Sequence, residues 1–575
     1  MTISKANQRK IPIPAWTVLF LILFIPTVLL VFFRCPYGFC NVDEGFYMTI
    51  PYRLLQGDAL FQEEWHLSQM AGVLTVPFVS AYLKLCGSTE GMILAMRYTC
   101  TFVQCICAIF LYIRLKGIHP LGAILASVSF LLFTPFNVMA LSYNSMGVLF
   151  LSLSLVIVLT AQKKQALQYS AAGFLFAAAV LCCPYLLFVY MAYLAAVAAL
   201  MVLRMKKPEL LIDTPLTVKN ALWITSGAAF AAVLFLGFVL ARGSVSGILR
   251  SIEPMFNDPE HPHTALIAKV ESFVKCVIHV NKWSPVLYSI LIVLGVVCLL
   301  IRKKPRYKLL TACAVMFVIV LLQYSVFCRN RFSNHLMWSA NVFAFFIFLL
   351  TANPKMNRIF FTVWLPGMMY AFCMHMASNQ AFYAISCGSA VATVGSLVMI
   401  CIFAEELLRM EGRHPYRIAA VSLICVFLAS QLCTQAVIRY QKAFWESDVP
   451  KLTAQITQGV QKGIYTTEGR TESYNRRLEN LRQLSEYKGK NVLYLSENTW
   501  YYLQNENRSA AYSAWLSGVN DATMDRLEIY YEINPHKLPE AVFADQAYEE
   551  YAVMFCERFS YTLQTVDGGF LLLPE

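Results

Sequence analysis

The stretch that decides this fold is acidic and follows an apolar run at residues 16–33. It reads Asn41-Val42-Asp43-Glu44-Gly45-Phe46-Tyr47, and then Arg53-Leu54-Leu55-Gln56-Gly57-Asp58. An apolar run of this length predicts a helix that spans a membrane, so the chain reaches Asp43 where it leaves the bilayer. Carboxylates beside a bilayer are costly unless they are hydrogen-bonded or catalytic. The pair Asp43-Glu44 is therefore the first candidate for a functional site.

The composition of the whole chain indicates a polytopic membrane protein. Hydrophobic residues fill 58% of the 575 positions, charged residues only 14%, and the mean hydropathy is +0.55. A soluble domain does not carry so few charges. The formal net charge of +12 does not indicate a nucleic-acid partner, because the basic residues form short clusters at alternate ends of the apolar runs. The positive-inside rule assigns such clusters to cytoplasmic loops. They lie at residues 5–10, 114–116, 163–164, 204–207, 302–308, 355–358 and 409–417.

The alternation of these clusters predicts about thirteen spans, with the amino terminus inside and the carboxyl terminus outside. The outward spans lie near residues 16–33, 120–136, 168–184, 220–241, 309–327, 359–376 and 417–437. The return spans lie near residues 92–113, 145–162, 186–203, 285–301, 336–352 and 386–404. Residues 67–85 are apolar but contain Gln69, Pro77 and Lys84, and counting them as a span would invert the clusters that follow. We therefore predict that residues 67–85 form a helix on the outer membrane surface.

Two outer loops and a tail complete the predicted organisation. Residues 1–437 form the transmembrane domain, with a first outer loop at 34–91 and a second at 242–284. Prolines and acidic residues in the second loop argue against a regular element at 253–263. The tail at 438–575 loses the membrane composition and predicts a small extracytoplasmic α/β domain, with a lid or packing role. Its predicted elements are a helical stretch over 447–487, a strand at 491–495 with Ser496 capping the next helix, a strand at 540–544 and a hairpin turn at 566–570.

The acidic motif and its context resemble the GT-C glycosyltransferases, in particular the protein O-mannosyltransferases and the bacterial lipid A aminoarabinose transferases. The resemblance rests on a first span that ends in an Asp-Glu pair, the aromatic Tyr47, the short helix with Arg53 and Asp58, and a many-spanned bundle with an outer tail. It is strongest over residues 16–115. It implies a polyprenyl-phosphate sugar as donor, an acceptor hydroxyl outside the membrane, and inversion with Asp43 as the general base.

The same comparison shows where the chain departs from that pattern. In the aminoarabinose transferases the Asp-Glu pair is followed by Thr-Arg-Tyr, whereas this chain has Gly45-Phe46-Tyr47. A downstream Glu-Lys-Pro is here Glu64-Trp65-His66. Because these basic residues are missing, the sugar cannot be inferred from the resemblance. The acceptor, which is a glycan, a lipid or a protein, is equally open.

Each residue of the motif has an alternative role. Asp43 would cap the helix at 44–55 if it is not the base, with Glu44 in the favourable first turn. With Asp43 as the base, Glu44 would hold a helix end or the acceptor, or help to bind a metal. The residues assigned to the acceptor side or to the loop are Tyr47, Glu64, His66, His261 and His263.

The donor phosphate needs cations at the outer end of a span. The turn at 328–335 offers Arg329, Arg331 and His335, and guanidinium groups bind phosphate in fork geometry. Snorkelling, or binding of membrane-lipid headgroups, is the alternative for this turn. Arg97 would also reach the phosphate, or else form an ion pair with Glu90 or Asp43.

Evidence for a metal or a disulfide is weak. Glu64 with His66, or His261 with His263, would supply ligands for a divalent ion, but neither pair has the helical spacing of a zinc motif. Cys35 and Cys40 lie five positions apart in the outer loop, and spacing does not decide between a disulfide and two thiols.

Rival functions are a flippase for a lipid-linked glycan and a polymer ligase. The spans show no clear inverted repeat and few midplane charges, which argues against coupled transport. A polymer ligase usually has its large functional loop late in the bundle, whereas the acidic loop here comes first. The short amino terminus and the lack of a retention signal favour a bacterial plasma membrane.

Overall fold

The computed structural model describes most of the chain in fourteen segments. They are residues 13–40, 42–135, 138–162, 164–206, 216–258, 264–280, 283–301, 305–327, 336–351, 353–378, 380–409, 415–443, 446–516 and 520–575. Helices dominate up to Gln441, and a sheet follows in the tail. The predicted architecture, a bundle of apolar helices with a carboxyl-terminal α/β domain, is confirmed.

The bundle and its outer loops contain eighteen helices within these segments. They are α1 Ile13–Arg34, α2 Asp43–Leu55, α3 Gly72–Cys86, α4 Met92–Leu115, α5 Pro120–Leu132, α6 Tyr143–Thr160, α7 Gln165–Cys182, α8 Leu186–Lys206, α9 Val218–Leu240, α10 Val245–Phe256, α11 Leu266–Ile278, α12 Ser284–Ile301, α13 Pro305–Phe327, α14 Leu336–Leu350, α15 Pro354–Ile359, α16 Leu365–Ala377, α17 Phe382–Arg409 and α18 Pro415–Gln441. A π-helical segment, Phe360–Trp364, joins α15 to α16 into one rod.

Every predicted span coincides with a helix. Ten helices in the described segments are long and apolar enough to cross a membrane, and nine of them lie at predicted spans. The other four predicted spans correspond to shorter apolar helices, Pro120–Leu132, Ser284–Leu300, Leu309–Tyr324 and Met337–Leu350. Helix α17 lies at the centre of the bundle, because almost all of its residues are buried against α5, α14 and α16.

The tenth long helix is α3, which the sequence predicts on the membrane surface. Both of its flanks contact the tail: Trp65 donates its backbone N–H to Tyr512 O over 2.8 Å, and Thr89 Oγ1 donates to Leu503 O over 2.6 Å. A helix that crosses a bilayer cannot have both ends on one extramembrane domain. The contacts therefore support a surface position for α3.

The second outer loop is more regular than its composition predicts. Helices α10 and α11 occupy 245–256 and 266–278, so the expectation of no regular element is wrong for residues 253–256. Pro254 lies in the last turn of α10, where it cannot donate to the carbonyl of Arg250 and its ring crowds that carbonyl, and the helix ends two residues later. Residues 259–263 of the same motif lie outside the described segments.

The tail carries a mixed five-stranded sheet. The tail as a whole has seven strands in its described residues. In chain order they are β1 Ala454–Gln455, β2 Tyr465–Thr466, β3 Asn491–Leu495, β4 Arg508–Ser509, β5 Ala541–Asp545, β6 Tyr561–Val566 and β7 Gly569–Pro574. Its helices are α19 Glu468–Leu481, α20 Asp521–Ile533 and α21 Glu549–Phe559. The sheet order is β4-β3-β5-β7-β6, and β1 and β2 form a separate pair. Strands β4, β3 and β5 are parallel, whereas β7 is antiparallel to both β5 and β6.

Three of the predicted tail elements are confirmed and two are wrong in part. Both buried strands and the final hairpin are present. The helix predicted over 447–487 begins only at Glu468, because β1 and β2 pair before it. Ser496 does not cap a helix: it donates to Asp545 Oδ2, and the next element is a 3₁₀ helix at Thr499–Leu503 preceded by Asn498.

The tail packs directly on the first outer loop. A Cβ added to Gly45 of α2 would lie 2.7 Å from Thr499 Oγ1 and 2.9 Å from the backbone N of Trp500, so only glycine permits this approach. Thr499 Oγ1 donates to Val42 O over 2.5 Å, and Thr49 Oγ1 donates to Thr499 O over 3.2 Å. The acidic motif is thus held between the bundle and the tail.

Candidate active site

Asp43 is the first residue of α2 and lies at the junction of the bundle and the tail. Its side chain is half-buried, and Cys40 Sγ lies 3.9 Å from Asp43 Oδ2. Val42 precedes the helix and no side chain caps it, so the alternative in which Asp43 serves as the cap is wrong. Within the described residues no lysine, arginine or histidine forms an ion pair with Asp43.

The environment of Asp43 favours a role for its carboxylate as a proton acceptor. Burial, and then the negative charge of Glu44, raise the pKa of Asp43 to about 6. A carboxylate with this pKa remains largely ionised at neutral pH and binds a proton more strongly than an ordinary aspartate. A general base is most effective when its pKa lies near the working pH, and Asp43 meets that condition.

Two tyrosines, Tyr47 and Tyr143, lie near Asp43. The ring of Tyr47, one turn after Asp43, meets the ring of Tyr143 edge-on with centroids 5.6 Å apart. Burial, and then the charges of Tyr143 and Asp43, raise the pKa of Tyr47 well above its usual value. Tyr47 therefore keeps its proton, and its hydroxyl is hydrogen-bonded to Tyr143. Sequence reasoning missed Tyr143, which begins α6 and carries no motif.

Glu44 is fully buried and is held by Arg97 of α4. Arg97 Nε lies 3.0 and 2.9 Å from the two carboxylate oxygens, and Arg97 Nη2 also donates to Glu44 Oε2. The backbone N–H groups of Met139 and Ala140 donate to Glu44 Oε1 over 3.2 Å. Both oxygens are thereby engaged. Glu44 therefore fixes the start of α2 against the bundle.

The contacts of Arg97 indicate a structural role for this residue. Its remaining donors bind the carbonyl oxygens of Cys35 and Gly38 over 2.9 and 2.7 Å, so it uses most of its N–H groups on the protein. The partner is Glu44, whereas Glu90 pairs with Lys462 over 3.3 Å. The expectation that Arg97 binds the donor phosphate is therefore not supported by its contacts.

The other acidic residues of the loop form a buried network around Arg53. Arg53 Nε donates to Asp58 Oδ2 over 2.7 Å and Arg53 Nη1 donates to Glu64 Oε2 over 2.6 Å. Lys537 of the tail donates to Asp58 Oδ1 over 2.5 Å. Burial opposes ionisation of Asp58, but Arg53 and Lys537 outweigh it and lower the pKa of that carboxyl. The acidity of the loop is thus a structural charge balance.

Neither Glu64 nor His66 is arranged as a metal ligand. Glu64 Oε1 accepts the backbone N–H of His66 over 3.0 Å, and burial raises the pKa of Glu64 despite Arg53. Ser68 N lies 3.1 Å from His66 Nδ1, and the His66 ring lies 4.4 Å from that of Phe46. Among the residues that the structure describes, no three His, Cys, Asp or Glu side chains cluster.

The structure decides the state of the two loop cysteines. Cys35 and Cys40 are free thiols. Cys35 is buried, with Sγ 3.3 Å from Val31 O and 3.2 Å from Thr101 Oγ1, whereas Cys40 faces Asp43. Of the remaining site residues, His261, His263, Arg329, Arg331 and His335 lie outside the described segments.

Sequence reasoning also missed a buried cation. Arg439, near the carboxyl end of α18, donates from Nη1 to Thr134 Oγ1 over 2.9 Å. In the part of the chain that the structure describes, its Nε has no partner. The group lines a small pocket that also contains Thr101, Gln104 and Ser145. The one available signal was an arginine at the end of a span opposite to the basic clusters.

Comparison with solved structures finds remote likenesses over nearly the whole chain. ArnT from Cupriavidus metallidurans in the apo state matches 97% of this chain and 98% of its own, with a TM-score of 0.47 and 12% identity. Bound to undecaprenyl phosphate, the same protein matches 98% of both chains, with a TM-score of 0.46 and 10% identity. The oligosaccharyltransferase AglB from Archaeoglobus fulgidus, in complex with an inhibitory peptide and a dolichol-phosphate, matches 97% of this chain and 74% of its own, with a TM-score of 0.43 and 10% identity.

ArnT and AglB are GT-C proteins, the superfamily that the sequence resembles. No protein-family profile and no curated protein matches this chain. Likenesses with TM-scores below 0.5 carry no argument about activity. The function therefore has to be argued from the residues of the chain itself.

Proposed function

We propose that this protein is a membrane glycosyltransferase that moves a sugar from a polyprenyl-phosphate donor to an acceptor hydroxyl outside the membrane. The observation that carries the proposal is Asp43: a half-buried carboxylate, without a cationic partner in the described residues, with a pKa raised to about 6. A carboxylate used only for structure is normally paired when it is buried, as Glu44, Asp58 and Glu64 are here. Asp43 departs from that pattern.

The proposed reaction is a single displacement at the anomeric carbon. The acceptor hydroxyl attacks that carbon, its proton passes to a carboxylate oxygen of Asp43, and the bond between the sugar and the phosphate breaks. Polyprenyl phosphate leaves with the bonding electron pair. Attack opposite to the leaving group inverts the anomeric configuration. Glu44 with Arg97 holds the start of α2 in place.

A lipid-linked donor agrees with the position of the candidate base. Asp43 lies nine residues after the end of α1, a candidate span, so a sugar on a membrane-anchored phosphate would meet it near the bilayer surface. The proposed phosphate ligands remain Arg329, Arg331 and His335. A bacterial plasma membrane, with the tail outside, is part of the same proposal.

A flippase and a polymer ligase are the alternatives. An assay of the purified protein in detergent distinguishes a flippase from a transferase. Detergent micelles do not separate two compartments, so a flippase yields no chemical product there. A transferase releases polyprenyl phosphate and a glycosylated acceptor. A polymer ligase would instead transfer a chain of many sugars from a diphosphate carrier, which mass analysis of the product distinguishes.

The test begins in cells, because the sugar is unknown. Mass analysis of surface glycans from a strain without the gene should reveal one missing sugar. Complementation with Asp448→Asn should restore that sugar and Asp43→Asn should not, at equal amounts of protein in the membrane. Asp448 is the matched control because it is an exposed carboxylate paired with Lys442. Restoration by Asp43→Asn would refute the proposed base.

A further inference from the structure

Helix α10 of the second outer loop has three separate faces. Gly247, Ser251 and Met255 are buried. An apolar stripe points away from them and is 40–64% exposed; it consists of Val245, Leu249, Ile252 and Phe256. A third face carries the exposed polar residues Ser246, Arg250 and Glu253. At 3.6 residues per turn the apolar residues fall within one narrow arc, so the segregation is a property of the helix.

The buried face of α10 is fixed to the first loop and to the tail. Ser244 N donates to Gln62 Oε1 over 3.0 Å, and Ser244 Oγ caps the helix by accepting from Gly247 N over 3.0 Å. At the other end, Arg526 of α20 donates to the carbonyl oxygens of Pro254 and Met255, each over 3.1 Å. Its Nη1 also donates to Asp258 Oδ1 over 2.9 Å. The exposed stripe therefore cannot turn inward.

The position of α10 along the chain indicates how close the helix lies to the membrane. It begins five residues after the end of α9, a candidate span whose exposed apolar side chains include Val233, Leu236 and Leu240. Between the two helices, the Arg242 guanidinium lies 3.9 Å from the centre of the Phe238 ring. Twelve residues make a helix about 18 Å long, too short to cross a hydrocarbon layer of about 30 Å. The stripe therefore lies near the end of a candidate span.

We infer that α10 is an interfacial helix whose apolar stripe is seated in the lipid leaflet next to the tail, and that it fastens the tail to the bilayer. A strong division into apolar and charged faces, on a helix too short to span, is typical of helices that lie in the interface. Arg242 and Arg250 lie at the level of the phosphate groups of the lipids. The partner is a phospholipid surface, and the inference does not depend on the proposed activity.

The test places the photoreactive residue p-benzoylphenylalanine at position 249 or 256 of the full chain. Positions 246 and 253, on the polar face of the same helix, are the matched controls. Each protein is purified, reconstituted in nanodiscs of phosphatidylethanolamine and phosphatidylglycerol, and irradiated. Mass spectrometry then measures the fraction that carries a lipid adduct. Elution as a single symmetrical peak shows that each variant is folded.

We expect lipid adducts at 249 and 256, several-fold more abundant than at 246 and 253. Equal labelling at the four positions would overturn the inference, because the stripe would then have no preference for lipid. Absence of adducts at 249 and 256 would overturn it as well. Cross-linked dimers at these two positions would assign the stripe to a second copy of this chain and would also overturn it.

Discussion

Replacing Asp43 by Asn should lower activity and raise stability at the same time. The substitution keeps the shape of the side chain but removes the ability to accept a proton. If Asp43 is the general base, turnover should fall by roughly 10²–10⁴-fold, the usual contribution of such a group. A residue kept only for the fold would not show this pair of opposite effects.

The stability change can be worked from the pKa of Asp43. The folded protein raises that pKa from 3.8 to about 6, and each unit corresponds to about 1.4 kcal/mol. Keeping the ionised carboxylate in the fold therefore costs about 3 kcal/mol above pH 6. Asparagine loses the attraction between a carboxylate and the amino end of α2, about 0.3–1 kcal/mol. Since Asp43 is also partly exposed, we expect a net stabilisation of at most about 2 kcal/mol.

The size of this stabilisation depends on pH. Below the unfolded pKa of 3.8 Asp43 is protonated in both states, so its ionisation costs nothing. Between pH 3.8 and about 6 the carboxyl is ionised in the unfolded chain but still largely protonated in the folded protein, so the wild type loses stability that the Asn variant keeps. The difference in free energy of unfolding should thus grow from about pH 4 to about pH 6 and level off above it. Over the same range the turnover of the wild type should rise and level off above pH 6.

The assay follows thermal denaturation midpoints in detergent and sugar transfer from a synthetic polyprenyl-phosphate donor, both from pH 4.5 to pH 8. Asp448→Asn makes the same chemical change at an exposed ion pair, and neither its midpoint nor its activity should change much. A folded Asp43→Asn protein with near-normal turnover would refute the base. A midpoint difference that does not vary with pH would refute the argument from the raised pKa.

Three further predictions follow from the contacts around α2. Arg97→Met should destabilise the protein by about 3–5 kcal/mol because it leaves Glu44 buried without its cationic partner; adding Glu44→Gln should recover part of the midpoint, and no recovery would mean that the pair is not coupled. Gly45→Ala should lower the midpoint because its Cβ would lie 2.7 Å from Thr499 Oγ1, whereas Gly469→Ala, with nothing within 4 Å, should not; equal midpoints would contradict the close packing. A cysteine at Gly489 of the tail should react with an impermeant maleimide in intact cells and one at Gly117, between α4 and α5, only after lysis; labelling of Gly489 only after lysis would reverse the proposed topology.

The spans were predictable because the signals for them are local. An apolar run of sufficient length and a basic cluster at one end both lie within about 25 residues, and each predicted span has a helix in the structure. The prediction of a surface position for α3 followed from the order of the clusters. The errors occurred where partners come from elsewhere in the chain. The stretch at 454–466 pairs as β1 and β2 rather than forming a helix, and nothing in its composition indicates that.

The site was only partly predictable for the same reason. Asp43 and Glu44 are adjacent and chemically similar, yet successive residues of a helix point about 100° apart. That rotation directs Glu44 to Arg97 in α4 and to the backbone at Met139 and Ala140. These partners lie 53 to 96 positions away along the chain. Sequence alone therefore indicates that the pair matters, but not which member is engaged by the bundle.

The acidity of the first loop is explained by the tail rather than by catalysis. Lys537 and His536 reach Asp58 and Glu63 across more than 470 positions, and Arg53 binds both Asp58 and Glu64. Because these carboxylates balance specific cations, the tail does more than cover the loop: it neutralises it and, through the contact at Gly45, sets the position of α2. Asp43 is on that helix and has no such partner among the described residues. The tail therefore helps to hold the one unbalanced carboxylate of α2 in place, and changes at its interface with α2 should alter activity without touching Asp43.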